Sequence, residues 1–408
     1  MPANRTTLRD FLAAQETAET QFLAALVREP SDNPPGDCAK HAELTATMLE
    51  ALGFTVERHK IPTELARKHG MISATNLIIC HRYGPGPTVA LNSHGDVVPP
   101  GTGWTTDPYG AEIRDGWMYG RGAAVSKSDI ATYAFAMRAL KHAGLSAGTI
   151  ELHVTYDEET GGEIGPKYLL DQGLSKPDLA LGAGFSYQVV EAHNGCLHLE
   201  ITVTGRSAHA AKPYTGIDAL EAATHILSTL YAWRGDLAHR VSKTPGIGAP
   251  QLTVGLIQGG INTNVVPDSV VIRLDRRITP DESPADVEAE LHAIIAGAAA
   301  AFPRVGLTVK RILLATPLTP TPAAARLTAL LCQHASTELG EPITAGGVPL
   351  YTDARHYAAA GVPIVLYGAG PRSIEEANAH RADERVRPSD LHAATRVVAL
   401  ALADLLES

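Results

Sequence analysis

The sequence predicts an α/β fold whose mostly parallel central sheet is interrupted by a smaller α+β domain. Strand and helix patterns alternate in the first part of the chain, which is typical of a parallel sheet covered by helices on both faces. After Gly195 the pattern changes to strands with clean apolar alternation, as in a sheet with one solvated face. At 408 residues the chain also exceeds the roughly 250–300 residues at which a single core usually divides.

The elements of the larger domain follow from apolar spacing. One helical face runs from Leu8 to Leu26, and a second helix runs from Leu44 to Leu52 and stops at Gly53. We predict that this domain comprises residues 1–194 and 314–408. Its further predicted elements are strands at 54–58, 76–81, 88–93, 149–156, 178–182 and 363–367, and helices at 130–140 and 389–406.

The inserted domain is predicted to comprise residues 195–313. The strand at 197–203 and the helix at 217–233 are expected to give this domain an exposed edge and an apolar helix face. Both features favour pairing with a second copy about a two-fold axis, so we expect a homodimer. Its predicted elements are strands at 197–203, 251–258, 269–277 and 307–313, and helices at 217–233 and 285–302.

Composition argues against several classes of partner. The formal net charge is −10 and no basic run could follow a phosphate backbone, so we expect no nucleic acid. No segment approaches the roughly 18 apolar residues of a membrane span, and the N-terminal stretch lacks an apolar signal core. We therefore expect a cytoplasmic enzyme that acts on a small molecule.

Polar side chains follow two predicted strands at the points where those strands end. His94 and Asp96 follow the strand at 88–93, and Glu158 and Glu159 follow the strand at 149–156. Reactive side chains collect beyond the carboxyl ends of parallel strands. A His whose ring is oriented by a carboxylate can serve as a metal ligand. Of two adjacent acids, one can bind a cation and the other can accept a proton. Each motif alone also fits a structural loop or a solvated acidic turn.

Seven motifs occur in a fixed order and together carry a family resemblance. The sequence resembles the metallopeptidase family of glutamate carboxypeptidase, aminoacylase, acetylornithine deacetylase and succinyl-diaminopimelate desuccinylase. The resemblance covers nearly the whole chain. The motifs are residues 94–99, 119–124, 157–162, 205–209, 259–267, 352–355 and 380–384.

The resemblance implies a zinc-peptidase-like catalytic domain with an inserted lid that commonly dimerises. By motif position, His94, Glu159 and His380 match metal ligands. Asp96 matches the carboxylate that orients His94, and Glu158 matches the general acid/base.

The same resemblance assigns residues of the inserted domain to the substrate. His209 and Asn264 match groups that stabilise the oxyanion, and His209 can belong to the site of the neighbouring subunit. Arg277 stands where the family often binds a substrate carboxylate. The structural alternative for Arg277 is an ion pair within the strand.

Two expected metal ligands are missing. Val125 occupies the position of the aspartate that bridges two ions in the family, and Gly184 lies where a second acid is expected. A second dication without these carboxylates meets uncompensated repulsion, so we expect one divalent transition metal per chain, Zn or Mn before Fe. A shifted Asp129 or Glu191 is the alternative that restores a second site.

These observations favour a metal-dependent hydrolase that cleaves an amide-type C–N bond in a small carboxylate-bearing substrate, with Glu158 as the general base. Hydrolytic deamination of an aromatic amine, as in 5-nitroanthranilate aminohydrolase, is the enzymatic alternative. A non-catalytic binding protein on the same fold is the contrasting class, although such a protein has no need of Glu158.

Overall fold

The computed structural model describes residues 3–407, which separate into two compact units. The first unit contains the residues up to Glu191, Pro320–Gly346 and the residues from Thr352 onward; the second contains Ala192–Thr319 and Gly347–Tyr351. Met1, Pro2 and Ser408, which the predicted larger domain includes at its ends, lie outside the described residues. No helix within residues 3–407 is long and apolar enough to cross a membrane.

The elements up to the second unit are α1 (Arg5–Arg28), α2 (Ala39–Ala51), β1 (Glu57–Lys60), α3 (Thr63–Lys68), β2 (Thr75–Arg82), β3 (Thr88–His94), β4 (Glu112–Arg114), β5 (Trp117–Tyr119), α4 (Lys127–His142), β6 (Thr149–Thr155), α5 (Pro166–Asp171), β7 (Leu179–Gly182) and β8 (Val189–His193). The following elements are β9 (Gly195–Thr204), α6 (Ala219–Leu237), β10 (Leu252–Gly259), β11 (Ser269–Ile278), α7 (Pro284–Ala299) and β12 (Gly306–Ala315). The chain ends with α8 (Ala325–Leu339), β13 (Ala345–Val348), α9 (Ala354–Ala359), β14 (Ile364–Leu366), α10 (Ile374–Ala377), β15 (Arg385–Val386) and α11 (Pro388–Leu406).

The first unit is built on an eight-stranded sheet with the order β1-β2-β6-β3-β7-β14-β8-β13. The four middle strands β6, β3, β7 and β14 pair in parallel, whereas β1 and β2 on one side and β8 on the other add antiparallel pairs. The predicted α/β class is confirmed, and the parallel arrangement holds for the middle of a mixed sheet. Strands β3 and β6 run side by side, so their carboxyl ends bring His94 next to Thr155.

The second unit is a four-stranded antiparallel sheet in the order β10-β11-β9-β12, with α6 and α7 packed against it. The expectation that the strand at 197–203 provides an exposed edge is wrong, because this strand, β9, pairs with β11 on one side and with β12 on the other. Leu197, Leu199, Ile201 and Val203 of β9 are fully buried beneath these helices. The alternation of apolar and polar residues predicted for this strand therefore arises because successive side chains point to the helix-covered face and to the uncovered face of the sheet.

Several element bounds differ from the predicted ones. The strand expected at 54–58 begins at Glu57, because the chain leaves α2 through a turn at Gly53 and Phe54 packs against the core as part of a loop. The helix expected at 217–233 begins at Ala219, where the Asp218 side chain accepts hydrogen bonds from two helical amides. A small sheet of β15, β5 and β4 was not predicted, since strands of two or three residues leave no periodic signal.

One buried acid makes the stability of the first unit depend on pH. Glu19 of α1 is 1% exposed and accepts a hydrogen bond from the hydroxyl of Thr395 in α11. Burial raises the pKa of Glu19 from 4.5 to about 8. Between these two values the folded protein holds the proton and the unfolded chain releases it, so this group lowers stability as pH rises.

We expect Glu19→Gln to stabilise the protein increasingly as pH rises from 5 to about 8, because the amide stays neutral in both states. At about 1.4 kcal/mol per pKa unit, the gain amounts to a few kcal/mol at the alkaline end. Urea unfolding at several pH values measures the difference from the wild type. Glu64→Gln is the control, since that side chain is 89% exposed. A difference that does not change with pH contradicts the assignment.

Candidate active site

His94 is the last residue of β3 and its side chain is buried. Its Nδ1 lies 2.9 Å from the main-chain carbonyl oxygen of Asp96 and 3.5 Å from the carboxylate Oδ1 of the same residue. Donation from Nδ1 to that carbonyl leaves the lone pair on Nε2, which lies 3.9 Å from Oε2 of Glu158. The ring is therefore oriented so that Nε2 can bind a cation.

Glu158 and Glu159 lie in a short 3₁₀ turn directly after β6. The backbone leaves this turn through Gly161 and Gly162, whose φ angles of 115° and 68° lie in the left-handed region that glycine tolerates. Ligand atoms of His94, Glu158 and Glu159 all lie within 4.8 Å of one another. The carboxyl ends of β3 and β6 thus converge on one cluster, as the sequence predicts.

The carboxylate of Asp96 holds this turn in place. Its two oxygens accept hydrogen bonds from the backbone amides of Glu158, at 3.3 Å, and Glu159, at 3.2 Å. The side-chain amide of Asn33 donates to the same carboxylate at 2.9 Å. Asp96 is fully buried and fixes the glutamate backbone through its carboxylate, while it orients His94 most closely through its carbonyl oxygen.

His380 approaches Glu159 from the loop before β15, but it does not belong to the group of ligand atoms formed by His94, Glu158 and Glu159. Its Nε2 lies 3.4 Å from Oε1 of Glu159, and about half of its side chain is exposed. The loop contains three non-glycine residues with positive φ, namely Asn378, His380 and Asp383. Such backbone strain persists only where surrounding contacts enforce it, and it concentrates at functional sites.

A buried ion pair ties the His380 loop to the loop at Val125. Arg121 and Glu384 form this pair, and each side chain is 1% exposed. The second carboxylate oxygen of Glu384 accepts hydrogen bonds from the amides of Ala124 and Val125, at 3.1 and 3.2 Å. Arg121 also donates to the carbonyl oxygens of two loop residues. One carboxylate therefore fixes two loops that border the cluster.

The cluster carries an excess of negative charge. Burial raises the pKa of Glu158 to about 7, and the charges of Glu159 and Asp96 act in the same direction. Burial lowers the pKa of His94, but the hydrogen bond to Asp96 and the neighbouring carboxylates outweigh it and raise that pKa well above its ordinary value. The hydrogen bond with Glu159 raises the pKa of His380. Neighbouring carboxylates cause the upward shifts of the two histidine pKa values, whereas burial is the largest cause of the shift at Glu158.

The two positions that depart from the family pattern offer no ligand atom. Val125 has a half-buried apolar side chain and Gly184 has none. The Asp129 carboxylate accepts a hydrogen bond at 2.8 Å from the amide of Ala369 and another from the amide of Gly184. Glu191 lies on β8 near Cys332. Within residues 3–407, neither acid belongs to the cluster with His94, Glu158 and Glu159.

The structure places the other predicted residues in the second unit. His209 forms an antiparallel bridge with Val265, and the Ala210 amide donates to the carbonyl oxygen of Asn264. The predicted His209 and Asn264 loops are therefore adjacent. In β11, Nε of Arg277 lies 3.2 Å from Oδ1 of Asp275, so the strand ion pair considered as the alternative is present.

Several supporting residues were not predicted to act on the site. Asn33 binds Asp96, and Ser126 accepts a hydrogen bond at 3.3 Å from the backbone amide of His94. The side chains of Arg355 and His356 both donate to the carbonyl oxygen of Gly161 and so anchor the glutamate turn. Arg355 lies in one of the seven motifs, which is a usable signal, whereas Asn33 lies far away in the sequence and gives none.

A family model and curated relatives match most of this chain. The model of Peptidase family M20/M25/M40 matches residues 90–404. Succinyl-diaminopimelate desuccinylase from Sphingopyxis alaskensis is 31% identical over 388 residues, covering 92% of this chain and 95% of that protein. Acetylornithine deacetylase from Proteus mirabilis is 31% identical over 346 residues, covering 84% of this chain and 83% of that protein.

A solved structure shows the same fold. The M20 family metallo-carboxypeptidase Sso-CP2 from Sulfolobus solfataricus superposes with a TM-score of 0.77 at 18% identity, over 95% of this chain and 99% of that chain. The family model and the relatives named desuccinylase and deacetylase identify a hydrolytic enzyme. The chain belongs to peptidase family M20/M25/M40, which confirms the predicted family and the predicted enzyme class.

Proposed function

We propose that this enzyme hydrolyses an amide bond between an acyl group and a small carboxylate-bearing amine, using one divalent metal ion per chain. The observation that supports this most directly is the convergence of His94, Glu158 and Glu159 at two strand ends. The relatives named desuccinylase and deacetylase support the N-acyl class of substrate.

The residues present fit a divalent transition metal. His94, Glu159 and His380 provide two imidazoles and one carboxylate, a set that suits Zn, Mn or Fe with open positions. His94 presents Nε2 because Nδ1 is already engaged, and the surplus negative charge of the cluster favours a bound cation. A metal ion bound by these residues would supply Lewis-acid chemistry, lowering the pKa of a water molecule and polarising the substrate carbonyl.

Glu158 is the proposed general acid/base. Its carboxylate lies beside the proposed ligands but is not needed to complete the set, so it remains able to move protons. It accepts a proton from the attacking water and passes a proton to the leaving nitrogen as the C–N bond breaks. A pKa raised toward neutrality suits both transfers.

The missing carboxylates support a single metal ion. Val125 supplies no bridging oxygen, and the Asp129 carboxylate is occupied by backbone amides. Two dications placed side by side therefore lack the shared negative charge that offsets their repulsion.

Motif position supports roles in substrate binding and catalysis for three residues of the second unit. His209 and Asn264 are proposed to stabilise the oxyanion, and Arg277 to bind the substrate carboxylate. We also propose a cytoplasmic homodimer formed through the second unit, where the edge strand β10 exposes Leu256 and Ile257. Light scattering on the purified protein is expected to give the mass of two chains.

A panel of N-acyl amino acids tests the function. We expect amine release from N-acetyl or N-succinyl substrates, lost on chelation and restored by Zn²⁺ or Mn²⁺. The matched control is the methyl ester of the best substrate, which lacks the free carboxylate and should be cleaved more slowly. Ammonia release from an aromatic amine without cleavage of any N-acyl substrate contradicts the proposal and supports deamination.

A further inference from the structure

A surface cavity of about 280 Å³, widely open to solvent, lies in the first unit among α1, the end of α2 and α4, and shares no residue with the candidate active site. Its walls combine three apolar side chains with three side chains that carry or can carry positive charge, and they include no carboxylate. The lining residues are Phe11, Leu52, Gly53, Phe54, Arg138, Lys141 and His142.

The apolar wall is held in position. Phe11, Leu52 and Phe54 are half-buried and pack against the core of the first unit. The ring of Phe11 stacks on His142 with centroids 4.5 Å apart, and the guanidinium carbon of Arg138 lies 5.5 Å from the Phe11 centroid. These contacts restrict Phe11 and leave a formed apolar surface facing the cavity.

The cationic wall has no protein counter-ion. Within residues 3–407, none of Arg138, Lys141 and His142 forms an ion pair with a carboxylate. Arg138 donates one hydrogen bond, at 3.1 Å, to the neutral side chain of Gln15. Burial lowers the pKa of Arg138, and no carboxylate offsets this effect. The protein as a whole is acidic, with a net charge of −10, so a group of basic side chains without a carboxylate partner is unusual here.

Helix electrostatics explains only part of this arrangement. Lys141 and His142 lie in the last turn of α4, where cations interact favourably with the exposed carbonyl groups. Arg138 lies one turn earlier, where its charge gains little from the helix end. The partners of this half-buried guanidinium are the neutral side chain of Gln15 and the rings of Phe11 and Phe135, so its full positive charge has no protein anion and can be matched by an external one.

We propose that this cavity binds a small aromatic carboxylate. The aromatic ring contacts Phe11 and Phe54, and the carboxylate accepts hydrogen bonds from Arg138 and Lys141. The cavity volume is close to the roughly 300 Å³ at which ligand pockets begin, which fits a single ring with a short acidic arm.

Isothermal titration with phenylacetate tests the proposal, with phenylacetamide as the uncharged analogue. We expect phenylacetate to bind with a Kd of about 1 mM, typical of a ligand of about ten non-hydrogen atoms, and phenylacetamide to bind at least about tenfold more weakly. Arg138→Gln and Lys141→Gln should each weaken phenylacetate binding about tenfold. Because Lys141 is exposed, its substitution should leave the fold intact.

Lys60→Gln is the matched control, since it removes one positive charge from an exposed position on β1. It should leave the Kd unchanged, and hydrolytic turnover should remain unchanged in all three variants. Absence of binding at about 10 mM phenylacetate, equal binding of phenylacetamide, or binding undiminished in both cavity variants overturns the proposal. Binding that is undiminished in both cavity variants means that phenylacetate binds elsewhere, for example at the active site.

Discussion

Glu158→Gln is expected to lower turnover by about 10²–10⁴-fold, the range typical of a lost general acid/base. The amide is nearly isosteric with the carboxylate but cannot accept the proton of the attacking water. The backbone amide of Glu158 still donates to Asp96, so the turn should keep its conformation. Steady-state kinetics on the best N-acyl substrate measures the effect, and unchanged turnover removes Glu158 from the mechanism.

Glu159→Gln is the matched variant, because it makes the same chemical change one residue along the same turn. We expect it to lower metal content, since Glu159 lies between His94 and His380 in the proposed ligand set. Elemental analysis separates the two roles. The account requires full metal with little turnover in Glu158→Gln and depleted metal in Glu159→Gln.

Glu384→Gln is expected to destabilise the protein by about 3–5 kcal/mol, because it leaves the buried charge of Arg121 without its partner. The two amides at Ala124 and Val125 keep an acceptor at the amide oxygen, so the main loss is electrostatic. Urea unfolding measures the change in free energy.

Glu341→Gln provides the comparison, since it removes the partner of Arg372 in a pair whose side chains are 55% and 38% exposed. A pair so exposed is worth less than about 1 kcal/mol. Equal small effects in the two variants contradict the claim that the Arg121–Glu384 pair holds the loops of the site. We also expect Glu384→Gln to weaken metal binding, because the His380 loop loses its anchor.

Much of the site was predictable because its residues stand at strand ends. His94 and the Glu158-Glu159 pair follow long strands with clear apolar patterns, and parallel neighbours gather their carboxyl ends. The sequence order of seven motifs identified the family before any geometry was known. The same comparison showed that Val125 and Gly184 depart from the pattern.

The rest of the site depends on contacts between residues far apart in the sequence, and such contacts leave no local sequence pattern. Asn33 reaches Asp96 across 63 positions of sequence, and Glu384 reaches Arg121 across 263. The sequence indicated that Asp96 orients His94, but it could not show that the Asp96 carboxylate holds the glutamate amides. The predicted strand bounds differ from the observed ones near Phe54, since β1 pairs with β2 only from Glu57 to Lys60 and Phe54 packs against the core outside the strand.

Metal titration of the metal-free enzyme tests the central claim of a one-metal hydrolase most directly. Turnover of an N-acyl substrate is followed while Zn²⁺ or Mn²⁺ is added, with Val125→Asp, which restores a bridging carboxylate, titrated in parallel. The account predicts that wild-type activity saturates at one equivalent per chain and that Val125→Asp binds additional metal. Wild-type activity that needs a second equivalent, or that persists without metal, contradicts it.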